Sequence, residues 1–246
     1  MTGAEWETIF EKLYLRVYAP LEVPEQTEAD ANGAVTLARC APGADVLDAP
    51  CGYGRHSLVL AELGYHVVGL DRSPVLLDEA RRRGGEREWA SWVAGDYREL
   101  PFGDGSFDAV LHLFSSFGYH GEADDLRMFS EFRRVLRPGG RLVLETMHRD
   151  RLIAIFQPRG WHELPDGSAR LEARSFDPVA GVHHTELTYW PRGGEPVSAS
   201  YELRVYTATE VRAMLAAAGF TKLEVLGSLD GDPFSVESRL VVVAQS

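Results

Sequence analysis

Cysteine is scarce in this chain, with only Cys40 and Cys51 among 246 residues. A disulfide framework is thereby excluded. No run of ~18 apolar residues occurs, so no transmembrane helix is expected. The start, Met1 to Trp6, lacks the basic-then-apolar order of a signal peptide. Excess positive charge is missing too: Lys and Arg number 25 against 37 Asp and Glu, a formal net charge of -12. An acidic surface repels phosphate backbones and anionic membranes, so neither a nucleic acid nor a membrane is an expected partner. The one dense basic cluster, Arg81-Arg82-Arg83, falls at the end of a predicted helix, where cations complement the dipole. These absences point to a reduced, cytoplasmic protein.

What is present is an ordinary globular composition, 45% hydrophobic and 25% charged, in a chain long enough for one large domain. Trp6, Ile9, Phe10, Leu13, Tyr14 and Val17 recur at the spacing of one helix face, and Pro20 and Pro24 end that helix. A second helix is expected from near Glu25 to Arg39, stopped by Pro42-Gly43. Apolar runs near Val46, Val67, Trp92, Ala109 and Leu142 then alternate with helical stretches at 57–63, 74–83 and 124–136. Ser73 before Pro74 makes an N-cap with proline at the first helical position. This alternation predicts a doubly wound α/β domain around a parallel sheet.

After Met147 the pattern changes. Strand-like runs at 171–176, 182–190 and 197–206 are set off by the turn signals Asp166-Gly167, Asp177-Pro178 and Arg192-Gly193-Gly194. They predict a small antiparallel sheet inserted into the α/β domain. Thr207-Ala208-Thr209-Glu210 reads as a capping box. It opens a helix that runs to Gly219, and strands near 223–226 and 238–243 follow. The expected organisation is a single domain over 1–246, with a helical cap at 1–43 and an inserted lid at 149–206.

Chemistry concentrates at the strand ends. Val46-Leu47-Asp48 runs into Ala49-Pro50-Cys51-Gly52-Tyr53-Gly54, an apolar strand that ends in a carboxylate and a tight turn before a helix. Glycines let the backbone approach a ligand, and a helix N-terminus favours a negative group. The next apolar run, Val67-Val68-Gly69-Leu70, ends in Asp71. A carboxylate there can accept both hydroxyls of a ribose; helix capping is the competing role. Gly95-Asp96-Tyr97 follows the third strand. Asp96 suits an adenine amino group and Tyr97 a base face, with a solvated turn as the alternative. Carboxylates at two successive strand tips describe a nucleoside-binding crevice.

Asp48-x-x-x-Gly52-x-Gly54, Asp71, Asp96, Leu100-Pro101-Phe102 with Phe107-Asp108, and Arg137-Pro138-Gly139-Gly140 together resemble the class I S-adenosylmethionine-dependent methyltransferases of small-molecule type. The resemblance covers 44–147 well and the last two strands loosely. It implies a Rossmann-like methyltransferase fold, a seven-stranded, mostly parallel sheet whose last strand is antiparallel. It implies that Asp48, Gly52 and Gly54 hold the methionine end of S-adenosylmethionine, Asp71 its ribose, and Asp96 and Tyr97 its adenine. Backbone near Leu113 and Phe114 would lie against the methionine part. Pro50 stands where the family has its first glycine and offers only its carbonyl. Arg55 and Arg72 complete the expected cofactor contacts.

A sulfonium methyl needs alignment and exclusion of water more than a protein nucleophile. The implied reaction is methyl transfer to an N or O atom of a small-molecule acceptor. A general base serves a hydroxyl or ammonium acceptor, and His148, Tyr119 and His120 are the candidates. Phe117, Tyr119, His148, Arg204 and Tyr206 are the candidate acceptor contacts. Glu202, Arg204 and Tyr206 share one strand face by alternation. Facing the cleft, Arg204 would hold an acceptor carboxylate; the alternative is a solvated outer face. Tyr14, Tyr18 and Trp6 offer further aromatic faces for a cation or for the core. His183 and His184 point to opposite strand faces, so no metal is expected with His162. Two other functions fit the same crevice. An NAD(P)-dependent oxidoreductase would set Asp48 beside a pyrophosphate. A non-catalytic S-adenosylmethionine-binding protein leaves an aromatic-lined cleft without a task.

Overall fold

The computed structural model describes residues 9–85 and 89–246; Trp6 and the side chains of Ile9 and Phe10 lie outside the described part. The strands are β1 (Asp45–Asp48), β2 (His66–Asp71), β3 (Ala90–Ala94), β4 (Phe107–His112), β5 (Leu136–Thr146), β6 (Arg159–Glu163), β7 (Ala169–Asp177), β8 (Val182–Trp190), β9 (Val197–Arg204), β10 (Thr221–Leu226) and β11 (Leu240–Gln245). Seven of them form one sheet in the order β10-β11-β5-β4-β1-β2-β3. β1 to β5 pair in parallel, and β11 is antiparallel to both of its neighbours. This is the doubly wound, mostly parallel sheet expected from the sequence.

The helices are α1 (Tyr14–Val17), α2 (Pro24–Ala38), α3 (Arg55–Glu62), α4 (Pro74–Gly84), α5 (Glu122–Val135), α6 (Arg149–Ala154) and α7 (Ala208–Ala217). Successive residues of a strand point to opposite faces, and in β1 both faces are covered. Val46 belongs to a buried cluster with Ala31 and Ala34 of α2 and Leu60 of α3; Leu47 belongs to the cluster on the other face, with Phe129 and Phe132 of α5 and Met214 of α7. Burial on both sides is why these strands read as continuous apolar runs. Each fully buried leucine contributes about 1.5–3 kcal/mol.

Local signals set most boundaries. Ser73 Oγ accepts from Leu76 N and Pro74 opens α4. Both halves of the Thr207–Glu210 capping box are made at the start of α7. α5 begins at Glu122, earlier than predicted, because Gly121 (φ 86°) turns the chain there and Glu122, Asp124 and Asp125 complement the helix dipole. β5 starts directly after it at Leu136 rather than near Leu142. A register shift and Gly139 (φ 83°) absorb the Arg-Pro-Gly-Gly segment into the strand as an irregular start. Arg137 from that segment bonds Asp45 at 2.7 Å and Asp108 at 2.6 Å, tying β1, β4 and β5 at the edge away from the crevice.

The N-terminal stretch is not one helix. A π-helical turn (Ile9–Leu13), α1 and a 3-10 turn (Ala19–Leu21) that contains Pro20 follow one another. Leu13 and Val17 are buried in one cluster with Leu187 and Tyr189 of a second sheet and Leu164 of the turn after its first strand. That sheet is antiparallel, in the order β6-β7-β8-β9. Its edge strand β6 was not anticipated, because most of its residues are exposed and carry no alternation. Arg204 N at the end of β9 donates to Gly118 O in the loop after β4, which stitches this sheet to the crevice.

Candidate active site

The crevice forms where the loops after β1, β2 and β4 leave the sheet. Cys51 N donates to Leu70 O, and Gly54 N to Cys51 O, which curls the first loop over the tip of β2. Gly52 and Gly54 are left-handed, at φ 57° and 79°. A Cβ on Gly54 would stand 2.4 Å from the Trp92 ring, whereas one on Gly52 would meet open space. Gly54 is therefore required by packing, and Gly52 leaves the cleft clear. His112, fully buried, donates from Nδ1 to Ala49 O at 2.6 Å and holds the loop from below. Burial lowers its pKa to about 4, so the ring stays neutral.

The two strand-tip carboxylates have different places. Asp71 lines a cleft of about 310 Å³. Its Oδ2 accepts from Gly52 N at 2.9 Å and its Oδ1 from Ser73 N at 2.8 Å. Burial raises its pKa, while those N–H groups and Arg72 oppose the rise. Each oxygen keeps a lone pair for a ligand. Asp48 lies under the cleft floor, 1% exposed, and accepts from Ser57 Oγ at 2.5 Å. Burial pushes its pKa up to about 7.

Of the residues singled out in the sequence, Pro50, Gly52, Arg55, Asp71 and Arg72 line the cleft. Tyr97, Leu113, Phe114, Tyr119 and His120 line it as well. Arg55 Nη1 donates to Thr27 Oγ1 at 3.2 Å, its guanidinium lies 4.4 Å from the Phe114 ring centroid, and its buried Nη2 has no partner among the described residues. Phe114 and Ser115 are both left-handed, at φ 63° and 60°. Glu145 holds them there: Phe114 N donates to its Oε2 at 2.7 Å and Ser115 N to its carbonyl at 3.2 Å. Arg239 completes the clamp, donating from Nε to Glu145 and from Nη2 to Ser115 Oγ.

The remaining expectations meet other environments. Gly54 supports the loop without facing the cleft. Asp96 is engaged by Arg98 through four hydrogen bonds, one from the backbone N–H and three from the guanidinium, and by Arg72 at 3.8 Å, and does not line the cleft. Burial alone would raise its pKa, but the Arg98 bonds bring it below the usual value. His148 does not face the cleft: its Nδ1 caps α6, and its Nε2 donates to Ser238 O at 3.0 Å. Phe117 and Tyr206 stack in the core with centroids 4.8 Å apart, and Tyr206 Oη donates to buried Asp125 at 2.7 Å. Arg204 also turns away: it donates to Val205 O at 2.8 Å and Glu210 at 2.7 Å and lies over the Tyr206 ring. Of the five expected acceptor contacts, Tyr119 alone lines the cleft.

The structure adds lining residues that the sequence did not single out: Glu11, Tyr53, Leu76 and Ser116. Tyr53 sits inside the Gly-x-Gly turn and was in that sense findable; its ring carries Arg83 at 4.4 Å and packs 6.2 Å from Tyr14, which also lines the cleft. Arg83 bonds Glu22 and Glu79, and Arg82 bonds Glu79, so that basic cluster is spent on helix-end pairs. Among the described residues, no three His, Cys, Asp or Glu side chains converge as metal ligands, and no helix is long and apolar enough to cross a membrane.

A twisted parallel sheet with a Gly-x-Gly crevice and an acid on the neighbouring strand tip defines a Rossmann-like, nucleoside-binding α/β protein. Comparison with known proteins narrows this. Residues 46–140 match the family model of a methyltransferase domain. The cypemycin N-terminal methyltransferase of a Streptomyces species is 30% identical over 207 residues, 82% of each chain. The demethylmenaquinone methyltransferase of Beutenbergia cavernae is 46% identical over 103 residues, which span 42% of this chain and 40% of that one. S-adenosylmethionine-bound CalS10, an amino pentose methyltransferase from Micromonospora echinaspora, superposes with a TM-score of 0.74 at 27% identity, covering 95% and 96% of the two chains. The chain belongs to the class I S-adenosylmethionine-dependent methyltransferase family, whose cofactor is S-adenosylmethionine.

Proposed function

We propose that this chain transfers a methyl group from S-adenosylmethionine to the amine nitrogen of a small-molecule acceptor. The protonation of the cleft wall carries this reading. Burial holds the Tyr14 phenol up at about 12 and Tyr119 well above its usual value, so both stay protonated at neutral pH. Burial, then the Arg98 charge, lowers His120 to about 4, which leaves a neutral and weakly basic ring. His56, which also lines the cleft, is held well below its usual value by its own burial and then by the Arg55 charge. None of these lining tyrosines and histidines titrates near neutrality, so none is poised to strip a hydroxyl. An amine needs no such base: leaving water for an aromatic hollow lowers the pKa of its ammonium and yields the free nucleophile. Two of the similar proteins, the cypemycin N-terminal and amino pentose methyltransferases, are named for acceptors that carry an amine.

The residues present fit the cofactor. The lone pairs of Asp71 suit ribose hydroxyls, and the unpartnered Arg55 Nη2 suits the methionine carboxylate. Leu76 and Tyr97 suit the adenine faces, with Asp96 and Arg72 at the rim. Bound S-adenosylmethionine would supply a methyl carbon already activated by its sulfonium for in-line transfer to the acceptor nitrogen. Gly52 leaves room for close approach, and Asp48 and Gly54 fix the floor beneath. Tyr14 and Tyr119 present faces and hydroxyls toward the acceptor and exclude water. The surplus proton of the methylated nitrogen leaves to solvent. In this reading the described part of the 1–43 cap closes the site and residues 149–206, which carry β6 to β9, cover the acceptor.

Calorimetry with S-adenosylhomocysteine tests the cofactor half; no binding at millimolar ligand rejects it. Labelled methyl transfer to an amine panel tests the rest. The rate should rise with pH along the titration of the acceptor's own ammonium. Turnover of alcohols in preference to amines rejects the nitrogen assignment.

A further inference from the structure

The inner face of the lid carries a cation with no hydrogen-bond acceptor among the described residues. Arg170, Glu172 and Arg174 alternate along β7 and share one face. It is the face that meets the N-terminal turn, because Arg170 and Glu172 pair with Tyr189 and Leu187 of β8. Glu172, with 5% of its side chain exposed, receives a hydrogen bond from Arg174 Nη2, and Arg174 Nη1 donates to Gln157 O. That pair is closed. Arg170 is not. Its Nε stands 3.8 Å from Glu172 Oε2, too far for a hydrogen bond, and is buried without a partner. Among the described residues no acceptor meets any of its N–H groups, although the side chain is only 11% exposed. His183, on the same face of β8 and 8% exposed, likewise keeps a buried Nε2 without a partner. Two guanidiniums thus face one carboxylate, and the surplus charge rests on a nearly buried donor fork. Such a group is costly until an acceptor completes it.

Its position ties it to the cleft. The guanidinium lies 5.4 Å from the Tyr18 ring centroid, and Tyr18 packs 5.0 Å from Tyr14, which lines the cleft. Tyr201, paired with Thr185 on the same face, stands 6.1 Å from Tyr119, another lining residue. Tyr18 and Tyr201 therefore stand behind the lining rings of Tyr14 and Tyr119, with Arg170 next to Tyr18.

We propose that Arg170 is a specificity residue that receives an oxyanion, carboxylate or phosphate, carried by the acceptor at the end remote from the reacting nitrogen. This rests on the amine-methyltransferase reading above. A guanidinium fork matches two oxygens of either group in bidentate fashion. The sequence pointed to Arg204 for this task, but its bonds to Val205 and Glu210 leave it turned away.

The test titrates ω-amino probes into the protein saturated with S-adenosylhomocysteine. Aminoalkanoates, aminoalkyl phosphates and the matching aminoalkanamides of four, six and eight carbons keep the amine and vary the far group. At one chain length or more, a carboxylate or phosphate probe should bind at least about tenfold more tightly than its amide. Which of the two binds more tightly identifies the oxyanion. Arg170→Gln should erase the preference while S-adenosylhomocysteine affinity stays within about twofold, and Arg170→Lys should keep only part of it. No anionic preference at any length, or a preference that survives Arg170→Gln, overturns the proposal. The comparison on the unaltered protein decides the matter even if Arg170→Gln fails to fold. Failure to bind S-adenosylhomocysteine would instead sink the methyltransferase reading, so the two failures are distinct.

Discussion

Replacing Asp48 with Asn isolates the cost of a charge buried beneath the cleft floor. Asp48 is 1% exposed, and its pKa is pushed by burial from 3.8 to about 7. The folded protein holds this proton more tightly than the unfolded chain. Its contribution is therefore most favourable below the unfolded pKa and is lost as pH rises through the folded one, from about 4 to 7. One pKa unit is about 1.4 kcal/mol. The loss is roughly 1.5 kcal/mol at pH 5 and roughly 4 kcal/mol by pH 8. Asn cannot ionise, and its amide oxygen still accepts from Ser57 Oγ. The gain of Asp48→Asn over the parent should therefore be larger at pH 8 than at pH 5 by roughly 2–3 kcal/mol. Urea unfolding of both proteins at both pH values measures it. Other titrating groups, Asp125 and His112 among them, are common to the pair and cancel. An equal gain at both pH values refutes the claim that this carboxyl is desolvated in the fold.

The two glycines of the turn should fail differently. Gly54→Ala drives a Cβ to 2.4 Å from Trp92 at a left-handed φ and should cost more than about 2 kcal/mol in denaturant unfolding. Gly52→Ala meets open space and should cost only about 1–2 kcal/mol of left-handed strain, yet weaken S-adenosylhomocysteine by at least about tenfold in calorimetry. Asp71→Asn keeps the shape but not the charge, and should weaken S-adenosylhomocysteine by about 10–100-fold; unchanged affinity removes Asp71 from the ribose role. Glu145→Gln loosens the Arg239 clamp on two left-handed residues, and should weaken S-adenosylhomocysteine by roughly tenfold with a smaller loss of stability. A matched loss in both measurements would mark the clamp as structural only.

The crevice was legible because its requirements are local. A strand that ends in Asp48, glycines at the two left-handed positions and Asp71 at the adjoining tip are each set by backbone geometry within a few residues. The Ser73-Pro74 cap and the Thr207–Glu210 box are local in the same way, and both formed as expected. The acceptor side was not legible, because it depends on long-range choices. Alternation names the two faces of β7, β8 and β9 but not which one turns inward. That was decided when Leu13 and Val17 docked on Leu187 and Tyr189, which set Arg170 inside, while Arg204 was drawn off by Glu210. His148 and Tyr206 stand near the crevice edge in chain order, but Ser238, 90 residues away, and Asp125, 81 residues away, capture their polar atoms. A buried polar group must find a partner wherever the fold supplies one, and only the tertiary structure determines which partner lies within reach.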